Sequence, residues 1–229
     1  MPAAPDVTVH PSPNCGPRRS GLRPRFIVLH YTAMTSAQAA LERLCDPSAE
    51  VSAHYLISGR GEILQMVEED QRAWHAGQGE WAGLDDINSR SIGIELDNRG
   101  DHPFSEPQMQ ALEALLSEIM HRHDIPPEGV IGHSCMAPGR KVDPGPRFDW
   151  ARLARLGLAQ PAGTGPLPGS VNAETFRDAA QVVGFTAPCD DDTLLSTVRM
   201  RFRPWGCGPL TPPDLAALPA PIDAPRGGV

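Results

Sequence analysis

The stretch SIGIEL, residues 91–96, alternates apolar residues with small or polar ones at the two-residue period of a β-strand. Ile92, Ile94 and Leu96 then face one side of the strand, while Gly93 and Glu95 face the other. Such a strand buries its apolar face in a core and presents the Glu95 carboxylate from the opposite face.

Other segments predict further strands around this one. FIVLH (26–30) is a short apolar, β-branched run that ends at His30, and VIGH (130–133) is a second run that ends at His133. Residues 52–67 read as two strands joined by a tight glycine-containing turn. Two histidines are therefore expected where strands end.

Helical patterns alternate with these strands, around 36–44, 105–123 and 149–156. Ser105 with Gln108 three residues later predicts a capping box at the start of the second helix. Strands alternating with helices indicate an α/β fold, with a mixed central β-sheet flanked by helices.

Proline divides the chain, because 17 of its 25 prolines lie in residues 1–25 and 161–229. Two helical patterns follow residue 170 and predict a small C-terminal helical module that leans on the main domain. The predicted parts are an N-terminal extension (1–24), a main α/β domain (25–160), a proline- and glycine-rich linker (161–169), the helical module (170–224) and a tail (225–229).

Composition excludes several classes of protein. The net charge is −8, from 28 acidic and 20 basic residues, which argues against nucleic acid as a partner. The sequence contains no run of eighteen apolar residues, so it predicts no membrane-spanning segment. The N-terminus does not resemble a secretory signal. We therefore expect a cytoplasmic protein, with the periplasm as the alternative. Five widely spaced cysteines without a C-x-x-C pair favour reduced thiols.

Three residues match the needs of a catalytic zinc ion. Such a site takes three imidazole or carboxylate ligands and leaves a fourth position for water. His30, His133 and Asp143 supply that count, and Pro138, Gly139 and the prolines after Asp143 constrain the loop that carries the carboxylate. Spacing alone leaves open that each histidine is an ordinary buried polar residue.

Five segments together resemble the zinc-dependent N-acetylmuramoyl-L-alanine amidases of the AmpD and AmiD type, which have the fold of peptidoglycan recognition proteins. They span about residues 25–155 in the family's order: FIVLHYTA (26–33), SAHYLI (52–57), RAWHAG (72–77), INSRSIGIELDNRG (87–100) and IGHSCMAPGRKVDPGP (131–146). The resemblance implies zinc ligands at His30, His133 and Asp143, a catalytic glutamate at Glu95 and a catalytic lysine at Lys141, which is the chain's single lysine.

The same segments suggest roles for other polar residues. His75 is predicted to line the substrate cleft, and Asn98 to bind substrate, with a turn-forming asparagine as the alternative. His54 is expected to be structural. Cys135 stands where the family usually has aspartate, and we do not expect it to bind the metal.

The resemblance implies hydrolysis of the amide bond between the lactyl group of (anhydro-)N-acetylmuramic acid and L-alanine, in cell-wall recycling or turnover. Muropeptides or peptidoglycan fragments would be the partners; the sequence does not predict the oligomeric state. The alternatives are a non-catalytic peptidoglycan-binding or sensing protein and a different zinc hydrolase, such as a peptidase. RFRPWG (201–206) resembles part of a small peptidoglycan-binding module, although a purely structural helical extension fits equally well.

Overall fold

The computed structural model describes residues 5–219. Its strands are β1 (Val7–Val9), β2 (Cys15–Pro17), β3 (Phe26–Tyr31), β4 (Tyr55–Ile57), β5 (Ile63–Gln65), β6 (Gln71–Ala73), β7 (Ser91–Leu96) and β8 (Val130–Gly132). Its α-helices are α1 (Ala37–Cys45), α2 (Ile87–Arg90), α3 (Glu106–His123), α4 (His133–Met136), α5 (Trp150–Arg155), α6 (Ala173–Val183), α7 (Asp191–Phe202) and α8 (Pro212–Ala216).

The main sheet has the strand order β1-β5-β4-β7-β3-β8 within the described part of the chain. The β4–β5 pair is antiparallel and the other pairs are parallel, so the sheet is mixed, as predicted. A separate pair joins β2 to β6. The predicted α/β class is confirmed.

The two faces of the sheet carry different kinds of side chain. Ile92, Ile94 and Leu96 of β7 pack with the apolar stripe of α3, as the alternation in SIGIEL predicts. Glu95 lies opposite His30 of β3 in the parallel register, and paired residues point to the same side of a sheet. The face away from α3 therefore carries both polar side chains.

Helix α3 begins as predicted, but its capping box is only half formed. The Ser105 hydroxyl accepts a hydrogen bond from the Gln108 N–H at 3.4 Å. The Gln108 side chain does not return to Ser105; its amide donates to the carbonyls of Ile57 at 2.9 Å and Asp97 at 3.2 Å. The capping-box prediction for Gln108 is wrong, because two strand-end carbonyls compete for its side chain.

The C-terminal helices cover part of the sheet face away from α3. Phe176 and Val183 of α6 and Val198 of α7 share one buried cluster with Val28 of β3 and Ile131 of β8. The helical module thus packs on the main domain, as predicted. The predicted tail (225–229) and the last residues of the predicted module (220–224) lie outside the described residues.

The predicted N-terminal extension contributes two strands that the sequence analysis does not find. β1 extends the main sheet along β5, and β2 pairs with β6. Arg18 then donates to the backbone carbonyls of Ser89 and Ser91, each at 3.0 Å. These contacts attach the N-terminal segment to the start of β7, the strand that carries Glu95.

The partly buried carboxylate of Glu69 ties the end of α3 to the β4–β5 hairpin. It accepts hydrogen bonds from the hydroxyl of Tyr55 at 2.7 Å, from Arg122 at 2.7 Å and from His123 at 2.6 Å. Burial acts to raise the pKa of Glu69, but these three donors outweigh it and lower the pKa to about 2. The folded protein therefore stabilises the charged form of Glu69.

Glu69→Gln is expected to reduce the free energy of unfolding by about 1–2 kcal/mol at pH 7, a low value because the Arg122 partner is half exposed. A carboxyl whose folded pKa lies below its ordinary 4.5 stabilises above that value and loses this contribution as the pH falls towards 2. Urea unfolding at pH 7 and pH 3 measures the difference, and Glu50→Gln, at an exposed position between α1 and β4, is the matched control. An equal gap between wild type and Glu69→Gln at both pH values would contradict the expectation.

No helix within residues 5–219 is both long and apolar enough to cross a membrane.

Candidate metal centre and active site

The three predicted ligands come from three different segments and meet at the carboxyl ends of the parallel strands. His30 is near the end of β3, His133 directly follows β8 and opens α4, and Asp143 is in the loop after α4. The Nδ1 atoms of His30 and His133 are 2.9 Å apart, and Oδ2 of Asp143 is 2.9 Å from the first and 3.0 Å from the second. Among the residues that the structure describes, this is the group of histidine, cysteine and acidic side chains placed to hold a metal ion.

The loop that carries Asp143 is folded back on α4, as its prolines and glycines predict. The Ser134 N–H donates to the Asp143 carbonyl at 2.9 Å, and the Lys141 N–H donates to the Ala137 carbonyl at 3.0 Å. These backbone bonds place the Asp143 carboxylate beside both histidines. The Lys141 side chain lines a cavity next to the same group.

The donor set fits a cation. Nε2 of His133 is 2.9 Å from the Ala76 carbonyl, which can only accept, so Nε2 carries the proton and Nδ1 of a neutral His133 is bare. Burial and the neighbouring His133 lower the pKa of His30 to about 4. Bare Nδ1 atoms cannot donate to Oδ2 of Asp143, which lies 2.9 Å from Nδ1 of His30 and 3.0 Å from Nδ1 of His133, so the three acceptor atoms need a cation between them. Lone pairs converging with an ionised carboxylate suit a metal ion.

Glu95 lies beside this group. It lines a cavity of about 400 Å³ together with His30, His133, Asp143 and Lys141. Its Oε2 is buried and has no hydrogen-bond partner within the described residues. Burial raises the pKa of Glu95 to about 8, and the nearby Asp143 charge adds to this while Lys141 opposes it.

Of the two predicted substrate-binding residues, one lies in the cavity lining and the other in a turn. His75 lines the cavity, and its ring contacts His30. Asn98 is 2% exposed; its Oδ1 accepts from the Gly100 N–H at 2.7 Å and its amide donates to the His102 carbonyl at 3.3 Å. These are the contacts of a turn-forming asparagine, and substrate binding by Asn98 stays a prediction.

Cys135 and His54 are not among the three converging ligand side chains within the described residues. Cys135 is packed among apolar residues where α4 meets α7, and burial raises the pKa of its thiol. His54 is fully buried, and its Nδ1 accepts from the Gly93 N–H at 2.9 Å.

Comparison with known proteins identifies the family. The model of the N-acetylmuramoyl-L-alanine amidase family matches residues 20–146, more than half of the chain. The chain belongs to this family. The resemblance predicted from five motifs is therefore confirmed.

Two relatives of the amidase illustrate the match. The 1,6-anhydro-N-acetylmuramyl-L-alanine amidase AmpD of Citrobacter freundii is 36% identical over 163 residues, which are 64% of this chain and 87% of AmpD. The N-acetylmuramoyl-L-alanine amidase AmiD of Escherichia coli is 41% identical over 152 residues, which are 59% of this chain and 54% of AmiD. This sequence match spans about half of the length of AmiD.

Two solved structures share the fold of the amidase. One is Escherichia coli AmiD in complex with the substrate anhydro-N-acetylmuramic acid-L-Ala-D-gamma-Glu-L-Lys, with a TM-score of 0.77 and 32% identity over 87% of this chain and 89% of the other. The second is AmpDh3 from Pseudomonas aeruginosa in complex with anhydromuramic pentapeptide, with a TM-score of 0.78 and 32% identity over 87% and 91%. The structural similarity covers 87% of the amidase and therefore includes residues outside its predicted main domain, 25–160.

Sequence reasoning missed several residues around the ligands of the amidase. The Arg140 guanidinium donates to the carbonyls of Ala76, at 2.7 Å, and Gln78. The side-chain oxygen of Asn88 accepts from the N–H groups of His75 at 3.0 Å and Ala76 at 2.8 Å. Both side chains lie inside the motifs used for recognition, but neither has a periodic pattern that reveals its partner.

Proposed function

We propose that the amidase is a zinc enzyme that hydrolyses the amide bond between the lactyl group of anhydro-N-acetylmuramic acid and L-alanine, in cell-wall recycling. The relatives' names and the substrate-like ligands of the two similar structures support this choice. The observation that carries it is the Glu95 oxygen that has no hydrogen-bond partner within residues 5–219, in the same cavity as three converging candidate metal ligands.

His30, His133 and Asp143 would hold the zinc ion. When bound in such a site, zinc would polarise a carbonyl oxygen and lower the pKa of a water molecule to about 7. The protein's own contribution is to keep both Nδ1 atoms unprotonated and the carboxylate ionised.

Glu95 acts as the proton carrier. The positive charge of a bound ion would lower the raised pKa of Glu95, and the ionised carboxylate then accepts the proton of the attacking water and delivers it to the nitrogen of L-alanine as the amide bond breaks. A carboxylate oxygen with no partner among the described residues needs no hydrogen bond broken before it takes this proton.

The Lys141 ammonium faces the negative charge that develops on the scissile carbonyl oxygen. Lys141 and Glu95 line the same cavity, so the acceptor of the proton and the cation that opposes the oxyanion flank one substrate position. A preorganised donor of this kind is worth about 3–4 kcal/mol in the transition state.

Lys141→Arg is expected to lower kcat by about 10²- to 10³-fold with zinc still bound, because a planar guanidinium does not fit where a compact ammonium did. Steady-state kinetics and metal analysis of the same preparation check this. Arg147→Lys, at an exposed position of the same loop, is the matched control and should leave kcat unchanged. Near-normal turnover of Lys141→Arg would remove Lys141 from the mechanism.

The activity itself is tested by incubating the zinc-loaded amidase with an anhydromuramyl tripeptide and analysing the products by mass spectrometry. Free anhydro-N-acetylmuramic acid and a tripeptide with a free L-alanine amine are expected. Cleavage within the peptide stem would identify a peptidase instead, and binding without cleavage would identify a sensing protein. A parallel reaction with the reducing-end muropeptide tests the recycling role, which equal rates on both substrates would contradict.

The C-terminal helices support the structural alternative for the RFRPWG segment. The Arg201 guanidinium stacks on the Trp150 ring at 3.9 Å and donates to the Gln160 carbonyl at 3.1 Å, and Phe202 is in the core. Trp205 is 74% exposed. Peptidoglycan binding by this module and a cytoplasmic location stay predictions.

A further inference from the structure

His30 must present a bare Nδ1 to a metal ion, and its other ring nitrogen decides whether it does. A neutral imidazole carries one proton, and the tautomer is set by the hydrogen-bond partner of the nitrogen that faces away from the metal. For His30 that partner is another histidine, since His30 Nε2 lies 3.0 Å from Nδ1 of His75. Which of the two donates follows from the rest of the hydrogen-bond chain.

This series of hydrogen bonds ends at a backbone carbonyl, which fixes the donor and the acceptor in each bond. The Ser91 hydroxyl donates to the Ile87 carbonyl at 2.6 Å, because a carbonyl can only accept. Ser91 Oγ therefore offers lone pairs to His75 Nε2, which lies 3.2 Å away and must carry the proton. A neutral His75 then has a bare Nδ1 and accepts from His30 Nε2–H.

The fold holds the His75 ring in this place. An added Cβ at Gly93 would lie 2.4 Å from Cγ and 2.6 Å from Nδ1 of His75, so the ring packs directly on the backbone of β7. The His75 and Ala76 N–H groups share the Asn88 oxygen as acceptor. Ala76 in turn accepts from Nε2 of His133, the second histidine ligand.

We propose that His75 is a positioning residue for the metal site, acting through His30 by accepting its Nε2–H and so keeping Nδ1 bare and aimed at the ion. This inference rests on the zinc site of the proposed function. The dipeptide His75-Ala76 thereby orients both histidine ligands, one through its imidazole and the other through its carbonyl.

The test compares two variants of nearly the same shape. His75→Asn keeps an acceptor oxygen at the position of Nδ1, whereas His75→Leu replaces it with a methyl group. We expect His75→Leu to weaken zinc binding by about 10- to 100-fold and His75→Asn to stay within a few-fold of wild type. Zinc affinity is measured by competition with a chromophoric chelator, and thermal unfolding of the metal-free forms checks folding.

Two further measurements separate positioning from substrate contact. In the cobalt-loaded protein, the absorption bands of the metal should shift in His75→Leu and stay unchanged in His75→Asn. A residue that only contacts substrate would raise KM and leave both zinc affinity and the cobalt spectrum unaltered, and that result would overturn the proposal. Ser91→Ala provides a test that leaves His75 in place, and we expect it to lose several-fold in zinc affinity.

Failure of this proposal differs from failure of the metal site. If wild type binds one zinc per chain and His75→Leu, correctly folded, binds it equally well, the positioning role is wrong and the metal site stands. Equal losses in His75→Asn and His75→Leu would also overturn it, since the acceptor would not matter. If wild type binds no zinc, the proposed function fails first.

Discussion

Replacing Glu95 with glutamine is expected to lower kcat by about 10²- to 10⁴-fold while zinc remains bound. The amide has nearly the same shape as the carboxylate, but it cannot take up a proton from water and pass it to the leaving amine. The affinity for uncleaved muropeptide should change little, because the variant removes a proton carrier and leaves the cavity lining in place.

The measurement pairs single-turnover kinetics on an anhydromuramyl peptide with metal analysis. Glu42→Gln, at an exposed position of α1, is the matched control and should retain wild-type kcat. Turnover by Glu95→Gln within a few-fold of wild type would remove Glu95 from the chemistry and favour a different base.

His30→Ala is expected to lose the bound zinc and with it at least about 10³-fold in kcat/KM, because two ligands hold a metal far less well than three and the reaction loses its Lewis acid. The residue is 1% exposed and its ring contacts both other candidate ligands, so its removal also opens a small void. Elemental analysis, after dialysis has removed the unbound metal, gives the zinc content of the protein directly.

His121→Ala removes an exposed histidine of α3 and serves as the matched control for His30→Ala. Circular dichroism of both variants shows whether the fold persists without the metal. One zinc per chain in a folded His30→Ala would exclude His30 as a ligand, whatever its activity.

Much of the fold follows from local patterns. The alternation in SIGIEL sets the two faces of β7, and the structure packs Ile92, Ile94 and Leu96 against α3 while Glu95 faces the other way. The placement of His30 and His133 at strand ends also follows from local runs, whereas their approach to each other depends on the pairing of β3 with β8. Here the amino-acid sequence suffices because side-chain direction depends on neighbouring residues alone.

Other features depend on contacts between distant segments, which no local pattern encodes. Val7–Val9 is too short to stand out as a strand, and it becomes one because β5 offers an open parallel edge. Gln108 follows a capping signature, yet its amide binds the carbonyls of Ile57 and Asp97. The approach of His75 to His30 likewise requires the register that places Gly93 beneath its ring.

Lys141 has a practical consequence for measuring the site. It carries the one ε-amino group of the sequence, and it lies in the cavity with Glu95 and the three candidate metal ligands. An amine-directed reagent therefore modifies a single side chain, apart from the α-amino group. A ligand that shields the cavity would slow this labelling. The labelled fraction of the peptide that contains Lys141, measured by its mass, would then report the fraction of molecules whose cavity is occupied.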